Sequence, residues 1–259
     1  MVQTVAIASG KGGVGKTSLA VNCAVHSAIN NKRVLLLDAD FGLANAHIML
    51  NQKVNGSITN FLDGEKSLDE IIHVLPYGLK LLPGGSGDLE MMNIDSTKRW
   101  EVIRSIDHLQ LEVDYLFVDT PAGASNSSIE FAAACDKIVI VLVGEPTSFM
   151  DAYAFIKALH LEKDIDSVCV VVNMAKDLSE AKASFNSFRK IVSQFLKVEL
   201  NYVGWLPNSV SISNSILSRK PFVLNEKNNS ELISQLSAIS KSIYKTQALN
   251  NGSVKFFSP

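Results

Sequence analysis

The chain has 259 residues, 47% hydrophobic and 19% charged, with a formal net charge of −2. That length supports one large core and is short for two α/β domains, and a near-neutral, slightly acidic balance argues against a surface built for nucleic acid. No run reaches the ~18 apolar residues of a membrane span and the N-terminus carries no signal-peptide pattern, so a cytoplasmic protein is expected.

In chain order, the apolar run at residues 2–8 is the first predicted strand, and Ser9-Gly10-Lys11-Gly12-Gly13-Val14-Gly15-Lys16-Thr17-Ser18 follows it and opens a helix. A glycine-rich loop between strand and helix is a phosphate cradle. The glycines let successive backbone N–H groups converge on phosphate oxygens at the positive end of a helix. Lys16 then reaches the outer phosphates and the Thr17 hydroxyl ligates Mg²⁺, while Lys11 is a second cation inside the loop. Further strands are predicted at 33–38, 79–82, 115–119, 137–143, 167–172 and 200–205, seven in all. The runs at 137–143 and 167–172 are apolar on both faces, as interior strands of a helix-covered parallel sheet are. A three-layer, doubly wound α/β sheet results, with ligands at the C-terminal strand ends.

The residues at those ends carry the chemistry. Asp38 and Asp40 follow the second strand at a spacing that puts both on one face, one to support Mg²⁺ and one to orient water. Asp119, in Asp119-Thr120-Pro121-Ala122-Gly123, holds the magnesium shell where the backbone responds to a γ-phosphate. Asn173 offers an amide to the edge of adenine, and Pro207 with Asn208 occupies the same place one strand later. Leu232, Leu236, Ile239 and Ile243 stripe a closing helix. Residues 1–246 are therefore expected as a single ATPase domain and 247–259 as a flexible tail. Cys23, Cys135 and Cys169 are widely spaced within apolar stretches and read as buried thiols.

The two-lysine loop, with Asp38-Ala39-Asp40 and Asp119-Thr120-Pro121-Ala122-Gly123, resembles the MinD/ParA family of deviant Walker A ATPases over nearly the whole chain. Within it, Asp40 to Ala46, Leu82 to Gly87, Glu145 to Tyr153 and the terminal Val254-Lys255-Phe256-Phe257 resemble the flagellar-number regulators known as FlhG, FleN or YlxH. The resemblance implies an ATP-dependent homodimer in which Lys11 reaches the partner's phosphates. It implies that Lys16 and Thr17 serve the subunit's own ATP, Asp40 orients the attacking water, Asp38 and Asp119 support magnesium, and Asn173 contacts adenine. Implied partners are flagellar proteins such as FlhF, a switch-complex protein or a flagellar transcription regulator. A weak membrane contact through the tail is the further expectation, and specific nucleic acid is not one. The alternatives within the family are a ParA-type partitioning ATPase and a MinD-type division-site regulator.

Overall fold

The computed structural model describes residues 2–41, 44–85, 94–109, 112–225, 230–249 and 256. Gly42 and Leu43, Ser86 and Gly87, and Val254, Lys255 and Phe257, all part of the subfamily-like segments, lie outside the described residues.

Eight strands form one sheet in the order β3-β4-β2-β5-β1-β6-β7-β8. They are β1 (Gln3–Ala8), β2 (Val34–Asp38), β3 (His73–Val74), β4 (Lys80–Leu82), β5 (Tyr115–Asp119), β6 (Lys137–Leu142), β7 (Ser167–Ala175) and β8 (Glu199–Pro207). All neighbours pair in parallel except β3 with β4. The sequence reading anticipated seven of these. The eighth, β3, is a two-residue antiparallel edge too short to leave a periodic pattern.

Alternation along the central strands divides the core into two layers. Val5 and Ile7 of β1 pack with α1 (Lys16–Ile29) and α10 (Ser230–Lys245). Ala6 and Ala8 face the opposite layer, which holds α5 (Ser96–His108), α6 (Asn126–Ala133), α7 (Pro146–Lys163) and α8 (Leu178–Phe195). Shorter helices α2 (Ala46–Met49), α3 (Ile58–Leu62) and α4 (Leu68–Ile71) follow β2, and α9 (Val210–Leu217) follows β8. The doubly wound sheet is the expected one, and Leu232, Leu236, Ile239 and Ile243 are buried on α10 as their spacing requires. No helix among the described residues is long and apolar enough to cross a membrane.

The reading of 247–259 as a flexible tail does not hold for its docked residues. Leu249 N–H donates to the Asp136 carbonyl at 2.8 Å, and Phe256 N–H donates to the Ala134 carbonyl at 3.0 Å. The Phe256 ring is buried and stacks on Phe131 of α6 with centroids 6.4 Å apart. Hydrophobic burial of one ring outweighs the polar character of the segment around it.

Candidate functional site: a phosphate loop at the C-terminal end of the sheet

Between β1 and α1 the chain turns through Gly13 and Gly15, at φ +79° and +89°, a region that side-chain-bearing residues rarely adopt. Space above Gly12 and Gly13 is open. At Gly10 the reason for glycine is close packing, since an added Cβ would lie 2.1 Å from the Asp151 carbonyl carbon in the first turns of α7. Val14, within the loop, and Ser18, in the first turn of α1, are buried.

Lys16 projects onto Asp119, its Nζ 2.6 Å from Oδ1, and lies 3.5 Å from the Thr17 hydroxyl. Both ends of the ion pair are enclosed, with side-chain exposures of 7% and 1%. Strand pairing brings the acids together, because Asp119 is in register with Ile7 of β1 on one side and Asp38 of β2 on the other. Burial, and then the adjacent Asp119 carboxylate, pushes Asp38 up to about 7, although Lys16 opposes the shift. Asp40 is also raised, by burial first, with Lys16 opposing and Asp119 adding to it.

The Asp38 side chain does more than line the site. Its Oδ2 accepts the N–H groups of Asn45 at 2.9 Å and Ala46 at 2.8 Å, and its Oδ1 accepts that of Asp40 at 3.3 Å. It thereby ties the loop after β2 to the strand end, a role that two-residue spacing gave no sign of. After β5, Thr120 N–H donates to the Ile7 carbonyl and Gly123 N–H to the Ser9 carbonyl, 3.1 and 2.9 Å. The loop that would sense a γ-phosphate is thus bonded directly to the stem of the phosphate loop.

Lys11 has different partners from Lys16. Its Nζ lies 2.9 Å from Glu145 Oε2 and 3.1 Å from Thr147 Oγ1, at the start of α7. Asn173 falls inside β7 rather than beyond it, is buried, and donates from Nδ2 to the Val14 carbonyl at 2.7 Å. Pro207 closes β8 opposite Ala175 and is half-buried. Glu145 and Thr147 were missed as partners of Lys11, and Val14 as a partner of Asn173. Such contacts span 134, 136 and 159 residues and have no local signature.

Two enclosed acceptors, Asp119 Oδ2 and Asn173 Oδ1, have no hydrogen-bond partner among the described residues. Buried acceptors normally find donors or cations. One beside Lys16 and Thr17 and one behind the loop, with open space over Gly12 and Gly13, fit a magnesium nucleotide.

Residues 1–244 match the ParA family model, that of NUBPL iron-transfer P-loop NTPases. The chain belongs to the MinD/ParA family of P-loop ATPases. It is 34% identical over 219 residues to the antiactivator FleN of Pseudomonas aeruginosa, covering 85% of this chain and 78% of that protein. To the flagellum site-determining protein YlxH of Helicobacter pylori it is 32% identical over 248 residues, covering 95% and 84%. Among solved structures, the septum site-determining protein MinD of Pyrococcus horikoshii complexed with Mg-ADP superimposes with a TM-score of 0.76. That match is 20% identical and covers 95% of this chain and 97% of the other. Iron transfer is not carried over from the family model, since Cys23, Cys135 and Cys169 are separate buried thiols, each raised chiefly by burial.

Proposed function

We propose that this ATPase is a nucleotide-switched regulator of flagellar number or placement, similar in role to FleN and YlxH, whose ATP-bound form is a homodimer. In this reading Gly10, Gly12, Gly13, Val14, Gly15 and Ser18 shape the phosphate cradle, and Lys16 neutralises phosphate charge. Thr17, Asp38 and Asp119 hold magnesium, Asp40 orients water, and Asn173 and Pro207 border the base. ATP and Mg²⁺ are the cofactors, consistent with the Mg-ADP of the MinD relative.

The observation that carries the proposal is the position of Lys11. Its ammonium is not spent on its own loop; it rests on Glu145 and Thr147, within the Glu145 to Tyr153 segment that resembles the flagellar regulators. Glu145 is 63% exposed, and a pair of this kind contributes about 0–1 kcal/mol, so a phosphate presented by a second subunit competes with it easily. Exposed apolar residues surround the same end of the sheet: Met150 in the first turns of α7, Met174 at the end of β7, Leu178 opening α8 and Val210 opening α9. A second copy would cover them.

Asp40→Ala tests the reading. Loss of water orientation is expected to slow phosphate release about 10²-fold while ATP is retained, giving a trapped dimer. That dimer should retain a purified flagellar switch-complex protein or transcription regulator, and deletion in the source bacterium should alter flagellar number or placement. Tight, salt-sensitive binding of the trapped dimer to unrelated DNA duplexes, with normal flagellation in the deletion strain, would identify a partitioning ATPase instead.

A further inference from the structure

Asn173 sits where β7 loses its regular pairing with β8: the register shifts between Val172 and Ala175, and Met174 takes φ +57°. A side-chain-bearing residue holds such a backbone only when its surroundings impose it. The irregularity coincides with Asn173 reaching the phosphate loop, where it donates from Nδ2 to the Val14 carbonyl at 2.7 Å and packs so closely on Gly15 that an added Cβ there would lie 2.2 Å from Nδ2. Asn173 is 4% exposed, and its Oδ1 is buried without a partner among the described residues.

We propose that Asn173 is a positioning residue for the phosphate loop, its amide N–H₂ clamping Val14 and Gly15 in the phosphate-binding conformation while its Oδ1 alone faces a donor on the base. The inference rests on residues 9–18 being the phosphate loop. With the donor end committed, the free end is an acceptor only, matching the exocyclic amino group of adenine and mismatching the carbonyl of guanine. One side chain then makes the geometry of the phosphate cradle depend on the same amide that reads the base.

The test separates the two ends with purine riboside 5′-triphosphate, which lacks the amino group and so cannot use Oδ1. Asn173→Ala and the nearly isosteric Asn173→Asp both remove the donor to Val14. Asn173→Asp provides the measurement if the alanine protein folds poorly. Titration calorimetry with Mg²⁺ is expected to show each variant binding the purine analogue about fivefold to tenfold more weakly than the parent, the loss of one buried hydrogen bond. Thermal unfolding of the same samples separates this loss from a general loss of stability. Variants that bind the analogue as the parent does, yet lose affinity for ATP, would reduce Asn173 to a base contact and overturn the clamp. A parent protein that binds neither nucleotide would instead remove the phosphate-loop reading on which the clamp depends.

Discussion

Replacing Lys16 with methionine keeps much of the side chain's length and removes its charge from the most enclosed ion pair among the described residues. In the parent, Nζ is 2.6 Å from Asp119 Oδ1, with 7% and 1% of the two side chains exposed, and the buried Asp38 stands in register on the next strand. Removing one partner of such a pair leaves an uncompensated buried charge, which costs about 3–5 kcal/mol. At roughly 2 °C per kcal/mol for a chain of this size, the nucleotide-free protein should melt about 6–10 °C lower. The loss should also depend on pH. Asp38 has a folded-state value raised above its unfolded one, so the folded state keeps a proton that the unfolded state has released, and stability falls as pH rises from about 4 toward 7. Lys16 opposes that rise in Asp38. Without it the fall extends to higher pH, and the deficit should be larger at about pH 8.5 than at about pH 5.5. Thermal melts of parent and Lys16→Met proteins at the two pH values, without nucleotide, measure both quantities. Equal melting temperatures, or a deficit that shrinks as pH rises, would refute the view that Lys16 is the counter-charge of the acid pair.

Lys11→Ala should leave the monomer's melting temperature within about 2 °C of the parent, because an exposed pair contributes about 1 kcal/mol or less, but should abolish ATP-dependent dimerisation. Light scattering with ATP and Mg²⁺ decides this, and a variant that dimerises like the parent excludes a cross-subunit role. Phe256→Ala removes a ring that is 1% exposed and stacked on Phe131, and should cost about 3 kcal/mol, or about 6 °C in melting temperature. A change under about 1 °C would mean that the ring contributes nothing to the core.

The interior of the sheet was legible because strands covered on both faces leave unbroken apolar runs, as in Ile138 to Leu142. The phosphate loop was legible because its glycines serve backbone conformations that few other residues allow, with Gly13 and Gly15 both at positive φ. Strand ends were less so: β7 runs on through Asn173, Met174 and Ala175, where polar and bulged positions look like a turn. Asp38 was identified as a site residue while its bonds to Asn45 and Ala46 were not, because the direction of a carboxylate is set by the loop that folds over it. Phe256 was read as part of a flexible tail. Its burial depends on Phe131 and on the Ala134 carbonyl at the end of α6, which lie more than 120 residues away in sequence.

Contacts around the phosphate loop also bear on why this ATPase would act as a switch. The Ser9 carbonyl accepts the Gly123 N–H, and the Ser9 hydroxyl donates to the Lys11 carbonyl at 3.0 Å. Gly10 lies against the backbone of Asp151, so the loop cannot shift at Gly10 without moving α7, whose first turn holds Lys11. On the other side, Ser128 of α6 donates to the Pro121 carbonyl at 3.0 Å, which joins α6 to the loop after β5. Phe131 of the same helix meets Phe41, the neighbour of Asp40, edge-on at 5.3 Å and carries Phe256 at 6.4 Å. Displacements of a few tenths of an ångström at the phosphates would therefore reach the Lys11 latch through α7 and the docked Phe256 through α6. Packed interiors shift between discrete arrangements more readily than they deform continuously. Under the proposed function, turnover at this site is linked by these contacts to an exposed ion pair, Lys11 with Glu145, and to a buried ring, Phe256, and this is the arrangement expected when the useful product of turnover is a change of shape.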